Sequence, residues 1–196
     1  SKVGFMSVKS METRIEELRK KRQQVALGGG ADKLEKHRAG GKMTARERVD
    51  TLVDPGSFME TGLFAQHRAT LFGMAGKDTP ADGVVTGSAA IHGRLVHVAS
   101  QDFTVLGGSA GELHSTKVAE AMMQSLKTGS PFVFINDSGG ARVQEGIDSL
   151  SGYGKVFYTN VMLSGAVPQV SLICGPCAGG AAYSPALTDF IIQTRK

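Results

Sequence analysis

The chain has no tryptophan, and aromatic residues make up only 6% of it. Single-stranded nucleic acid is bound on aromatic stacking platforms, so nucleic acid is not an expected partner. Two cysteines are too few for a disulfide framework. No apolar run reaches the ~18 residues that a membrane-spanning helix needs. The opening "SKVGFMSVKS" lacks the apolar stretch of a secretory signal. Charge of one sign is scarce too: 22 Lys and Arg stand against 18 Asp and Glu. The expectation is a soluble protein of the cytoplasm, or of the mitochondrial matrix in a eukaryote.

What remains is ordinary globular material with one excess. Hydrophobic residues make up 41% of 196, enough for a domain with a sizeable core. Glycine is the excess, at 26 residues, and it comes in pairs: Gly107-Gly108, Gly139-Gly140 and Gly179-Gly180. Such pairs mark backbone that turns sharply or approaches something closely. The cations cluster early, at Arg19, Lys20, Lys21 and Arg22, then Arg38, Lys42, Arg46 and Arg48. They read either as exposed helix faces or as an anion site.

Along the chain, residues 11–27 read as a charged helix capped by Ser10, with Ile15, Leu18 and Val25 as a thin apolar stripe and Gly28-Gly29-Gly30 as its stop. "TARERVDTLVDPG" is a second helix, with Thr44 and Glu47 as a capping box. Residues 1–55 form a polar helical arm, and residues 56–196 the body. In the body, "GVVTGSAAI" and "RLVHVAS" are strands joined by a tight turn at His92-Gly93. A helix with Val118, Met122 and Leu126 on one face ends at Gly129. The buried strand "FVFIN" follows, then the loop "DSGGARVQEG" and a helix from Ile147 to Leu163. The strand "QVSLIC", a CGPCAGG loop, a short helix and the strand "DFIIQT" complete the order. This is α/β layering with parallel strands, and its Gly-rich loops lie where such folds place ligands.

Cys174-Gly175-Pro176-Cys177 has the form of a dithiol redox site. A reactive pair needs a depressed thiolate pKa and an exposed sulfur. Here the strand "QVSLIC" runs into Cys174, and little chain follows to complete a thioredoxin-like sheet, so packed thiols are the simpler reading. Zinc would need two further ligands, and His37, His67, His92, His97 and His114 show no ligand-like pairing, so no metal is expected. The backbone beside the sulfurs offers another chemistry. Two loops of small residues, each after a strand and before a helix, leave N–H groups free to converge on one oxygen. That is the form of an oxyanion hole. Tight helix–strand packing is the plainer use of the same glycines.

"NDSGGARVQEGIDSLSGYG" and "GPCAGGAAYSPALTDF" resemble the hallmark segments of the carboxyltransferase (β-type) subunits of biotin-dependent acyl-CoA carboxylases. "TARERVDTLVDPGSF", "PADGVVTG" and "SQDFTVLGGSAGE" are similar to the same family, in the same order. "TLFGM" and "PADGVVTG" look most like the branches handling methylmalonyl-CoA and propionyl-CoA, decarboxylase α subunits included. The resemblance implies a crotonase-like (ClpP/crotonase) spiral of ββα units. It implies that Gly139, Gly140 and Ala141 form one half of an oxyanion hole for a coenzyme A thioester, and Gly179 and Gly180 the other. It places Ala141 and Arg142 at the coenzyme, with Arg142 open between a CoA phosphate and a local carboxylate. Glu145 stays open between acid–base work and bracing the loop. Biotin on a separate carrier protein, an acyl-CoA and a homo-oligomeric assembly are the implied cofactor, substrate and state. Family chains have two crotonase-like halves. The expectation is therefore the N-terminal portion, incomplete at its C-terminal end and inactive alone, whose C-terminal half supplies the biotin side. A dithiol oxidoreductase and a non-catalytic assembly module are the alternatives of other classes.

Overall fold

A computed structural model describes residues 10–195; residues 1–9 and 196, at the outer ends of the expected arm and body, lie outside it. Three helices come first: α1 (Met11–Ala26), α2 (Ala31–Ala39) and α3 (Ala45–Leu52). There follow β1 (Met59–Thr61), β2 (Val84–Ile91), β3 (Arg94–Gln101), α4 (Glu112–Thr128), β4 (Phe132–Ser138), α5 (Ile147–Leu163), β5 (Gln169–Cys177), α6 (Gly180–Ala186) and β6 (Phe190–Gln193). The six strands form one sheet in chain order. β1, β2 and β3 pair antiparallel, and β3 to β6 pair parallel.

The antiparallel edge follows from its turn. His92 (φ 49°) and Gly93 (φ 73°) are both left-handed, as a two-residue hairpin turn of type I′ requires. Histidine is uncommon there, and Asp54 supports it: its carboxylate accepts the N–H groups of His92 at 2.9 Å and Gly93 at 2.8 Å. The parallel part follows from burial. Every residue of β4 is buried, as expected for a strand covered on both faces. On one face α4 and α5 bring Val118, Met122, Val156 and Leu163 onto Val84, Ala99, Phe132 and Phe134. On the other, α3 sets Ala45, Val49 and Val53 against Val85, Val96, Val98 and Ile135.

The helices expected at the N-terminus form with their expected caps. Ser10 accepts from Thr13 N–H, and Thr44 and Glu47 make the reciprocal capping box. α3 packs into the sheet, whereas α1 buries no residue. The sequence reading has no counterpart for α2, where Leu34 is the single buried residue, nor for the three-residue β1. It also stops β5 too early. The strand runs through CGPC to Cys177, which pairs with Ser138 after a register shift in β4.

Candidate active site

The two Gly loops leave the C-terminal ends of the adjacent strands β4 and β5, and they touch. A Cβ on Gly140 would stand 2.6 Å from the Ala178 carbonyl oxygen, and Gly140 also has φ 97°. Ala178 N–H donates to Ser138 O at 3.2 Å. Within the first loop the backbone is mostly engaged. Gly139 N–H donates to Gly107 O (2.9 Å) and Gly140 N–H to Ser138 Oγ (3.0 Å). Ala110 pairs alongside Ala141, its N–H donating to Gly140 O and its carbonyl accepting Arg142 N–H. In the second loop Ala181 N–H donates to Ala178 O and Ala182 N–H to Gly179 O. The N–H groups of Ala141, Gly179 and Gly180 find no acceptor among the described residues. Of the five residues expected at the oxyanion hole, Gly139 and Gly140 have their N–H groups engaged within the chain, and the other three do not.

The first loop is held from below by buried charge. Arg142, fully buried, donates to Asp82 Oδ1 at 2.5 Å, Glu145 Oε1 at 2.8 Å and Ser109 O at 2.8 Å. Of the two partners left open for Arg142, the structure supplies the local carboxylates, Asp82 and Glu145, around a guanidinium that is fully buried. Glu145 braces the loop. Its second carboxylate oxygen accepts Glu112 N–H at 2.7 Å, tying the loop to the start of α4. Gly111 makes room for it, since a Cβ there would meet Glu145 Oε1 at 2.3 Å. Asp82 sits in a turn where Ala81, Asp82 and Gly83 are all left-handed. It also accepts His114 N–H at 2.7 Å, and Lys117 Nζ clamps the turn through Ala81 O and Val84 O. Burial drives the His114 pKa down to about 3 and Lys117 down to about 8.

The CGPC segment is explained by a neighbour. A Cβ on Gly175 would lie 2.0 Å from Asp137 Oδ1. Asp137 is fully buried, and Arg48 of α3 donates to its Oδ2 at 2.7 Å and to Cys174 O at 3.3 Å. Both thiols are half-buried, and burial raises both pKa values, that of Cys177 to about 11. That is the opposite of what a reactive thiolate needs.

The early cations are largely committed within the chain. Arg38 pairs with Glu47, Arg46 grips Glu60 with two hydrogen bonds, and Lys21 and Lys42 lie over the rings of Phe64 and Phe103. An open groove of about 1130 Å³ between α4 and α5, lined by Thr116, Gln124, Lys155 and Tyr158 among others, includes no residue of either Gly loop. Sequence reasoning passed over Asp82, Asp137, Ser138 and Tyr153. All four stand inside motifs it quoted, yet a single buried polar residue carries no periodic signal.

Comparison with known proteins gives the family. A model of the carboxyl transferase domain matches residues 36–196. The chain is 64% identical over 187 residues to the methylmalonyl-CoA carboxyltransferase 12S subunit of Propionibacterium freudenreichii subsp. shermanii, covering 95% of this chain and 36% of the relative. It is 57% identical over 180 residues to the methylmalonyl-CoA decarboxylase subunit alpha of Propionigenium modestum, covering 92% and 35%. To the propionyl-CoA carboxylase beta chain of Roseobacter denitrificans it is 54% identical over 185 residues, covering 94% and 36%. A solved structure of transcarboxylase 12S, described as a hexamer assembly with methylmalonyl-coenzyme A and methylmalonic acid bound, superposes with a TM-score of 0.93 at 63% identity, covering 95% of this chain and 36% of that one. The chain spans about a third of the length of these relatives.

Proposed function

The chain belongs to the carboxyl transferase domain family, and from that premise we propose that it forms the acyl-CoA side of a carboxyltransferase acting on methylmalonyl-CoA or propionyl-CoA. The observation that carries the proposal is the trio of unpaired N–H groups, on Ala141, Gly179 and Gly180, on two touching loops at the ends of parallel strands. The body, residues 56–196, is read as a crotonase-like ββα unit, and residues 1–55 as a helical arm beside it.

The chemistry follows from where charge must go. When the carboxyl group leaves the α-carbon of methylmalonyl-CoA, the electron pair of the broken C–C bond stays on that carbon. It delocalises onto the thioester oxygen as an enolate. A proton then takes the place of the carboxyl group at the α-carbon, giving propionyl-CoA. In the reverse direction the α C–H bond breaks, its proton would go to the biotin nitrogen from which the carboxyl group departs, and the freed pair forms the new C–C bond. A fixed N–H donor from each loop, Ala141 on one side and Gly179 or Gly180 on the other, stabilises the oxygen as its charge grows. In comparable sites one such donor is worth about 10²- to 10³-fold in rate. Small residues at 139–141 and 178–182 keep the approach to those donors open. Biotin, carried on a separate protein, supplies or takes up the carboxyl group. No residue described here is assigned to it, and the C-terminal half of a full-length carboxyltransferase is the proposed source of that wall. A homo-oligomer is the proposed assembly, in keeping with the hexamer of the 12S relative.

A second reading shares the site: a decarboxylase α subunit passing the carboxyl group to a membrane-bound partner, favoured by the similarity to the Propionigenium modestum subunit. The dithiol reading loses its ground to the raised thiol pKa values. Calorimetry tests the main proposal. Propionyl-CoA should bind the folded protein, with an affinity set by how much of the ligand the pocket desolvates. A folded protein that takes up no propionyl-CoA at concentrations of about 1 mM, the weak end of the affinity scale, overturns it.

A further inference from the structure

Tyr153 has no part in either Gly loop, yet it touches both through a single neighbour. It lies on α5, is buried at 7% exposure, and its hydroxyl is a buried polar atom with no hydrogen-bond partner of good geometry among the described residues. Its ring lies against Gly180: a Cβ there would stand 3.1 Å from three of the ring carbons. Its hydroxyl lies beside the Ser138 side chain without making a hydrogen bond to it. Ser138 in turn binds both loops. Its Oγ accepts Gly140 N–H at 3.0 Å, and its carbonyl accepts Ala178 N–H at 3.2 Å. A phenylalanine would fill the same space without leaving a buried hydroxyl unpaired, so the hydroxyl is the atom that needs an explanation.

We propose that Tyr153 is a positioning residue for the enolate oxygen, setting both loops at once. The ring supports Gly180 from the α5 side and fixes where its N–H points. The hydroxyl donates to Ser138 Oγ when the loops close on a bound anion. That fixes the Gly139–Gly140 peptide, the neighbour of the peptide whose Ala141 N–H is the free donor of the first loop. The phenol does not reach the substrate; it works through Ser138 and Gly180. The inference rests on the acyl-CoA reading above.

The test compares two ligands on the same protein by calorimetry. One is propionyl-CoA, which is neutral at the reacting carbon. The other is a CoA thioether ending in a nitronate, whose oxygens carry the charge an enolate would. The unmodified protein should prefer the nitronate. Tyr153→Phe should cut that preference about tenfold or more, the size expected when a preorganised donor is disturbed, while propionyl-CoA affinity stays within about twofold and far-UV circular dichroism is unchanged. Ser138→Ala should do the same, and the double variant should be no worse than Ser138→Ala, since both act on one peptide. If Tyr153→Phe does not fold, Ser138→Ala alone carries the test. An unchanged preference, or equal weakening of both ligands, refutes the positioning role and leaves the acyl-CoA site standing. Failure of the folded, unmodified protein to bind either ligand removes the acyl-CoA reading and this inference with it.

Discussion

Replacing Asp82 by alanine is the sharpest perturbation of the loop's foundation. Asp82 is fully buried, pairs with Arg142 at 2.5 Å and accepts the His114 N–H at 2.7 Å. Removing the carboxylate leaves the Arg142 guanidinium buried with Glu145 as its remaining carboxylate partner. Breaking a buried pair from one side costs about 3–5 kcal/mol. For a chain of this size ~1 kcal/mol moves the melting temperature by about 2–4 °C, so the expected drop is roughly 6–20 °C. Thermal unfolding followed by circular dichroism measures it. The companion triple variant Asp82→Ala/Arg142→Met/Glu145→Gln removes all three charges, since Arg142 also pairs with Glu145, and should recover much of the loss, because no buried charge is then left without its partner. A drop of less than about 3 °C in the single variant, below ~1.5 kcal/mol, would refute the view that this pair holds the loop. So would a triple variant less stable than the single one.

Gly175→Ala should destabilise by about 1–3 kcal/mol, the range for overpacking a filled site, because its Cβ would meet Asp137 Oδ1 at 2.0 Å; the denaturant midpoint reads this, and Pro176→Ala, at an exposed position, is the control. Replacing Cys174 and Cys177 together by Ser should leave propionyl-CoA affinity within about tenfold, beyond stability effects of ~1–2 kcal/mol, and the native thiols should resist iodoacetamide at pH 7, since burial holds Cys177 near 11; insulin-reductase activity would contradict this. Lys117 has its pKa lowered to about 8 from 10.5 by burial. Between those values the unfolded chain binds more protons than the folded one, so this group should add stability as pH rises from about 8 to 10.5, by up to ~3 kcal/mol at ~1.4 kcal/mol per unit. Lys117→Met should flatten that part of the pH profile, and an identical slope in both proteins would refute it. His114, lowered to about 3, works at the other end: its stability contribution is full above about 6.5 and is lost as pH falls toward 3, and His114→Gln should unfold less steeply in acid.

How much of this was legible in the sequence depends on the kind of signal. Elements announced by local chemistry came through: the capping box at Thr44 and Glu47, the αL stop at Gly129, and the α5 span of Ile147–Leu163. So did the hairpin at His92-Gly93, where two consecutive left-handed residues leave little choice of turn. α2 was missed because one buried leucine in nine residues makes no apolar stripe. β5 was cut short because Gly175-Pro176 reads as a turn. The strand tolerates both because Gly175 faces Asp137 and Pro176 is exposed. The loops were legible as glycine pairs, but not which N–H groups stay free. That depends on Gly107 O and Ser138 Oγ, acceptors contributed from outside the loop or from its first residue. Arg142 could be read toward a phosphate or a carboxylate because its partner Asp82 lies sixty positions away.

The charges under the loop also bear on how it would act. Asp82 and Glu145 carry two negative charges, and Arg142 and Lys117 carry two positive ones. Arg142 pairs directly with both carboxylates, and Lys117 clamps the turn that carries Asp82. His114, with its pKa near 3, adds none at neutral pH. The cluster therefore carries no net charge to set against a negative oxygen bound above it. A stabilising field must come from donors close to that oxygen, which here are backbone N–H dipoles whose direction the cluster fixes. This is electrostatic preorganisation in its economical form: charge is spent on holding the dipoles still, and the dipoles meet the developing anion without reorganising. It also accounts for glycine and alanine in the loops themselves. At 139–141 and 178–182 a charged side chain would add an unpaired field at the one place where orientation, not net charge, is being set; Arg142 and Glu145, further along the first loop, are paired with each other.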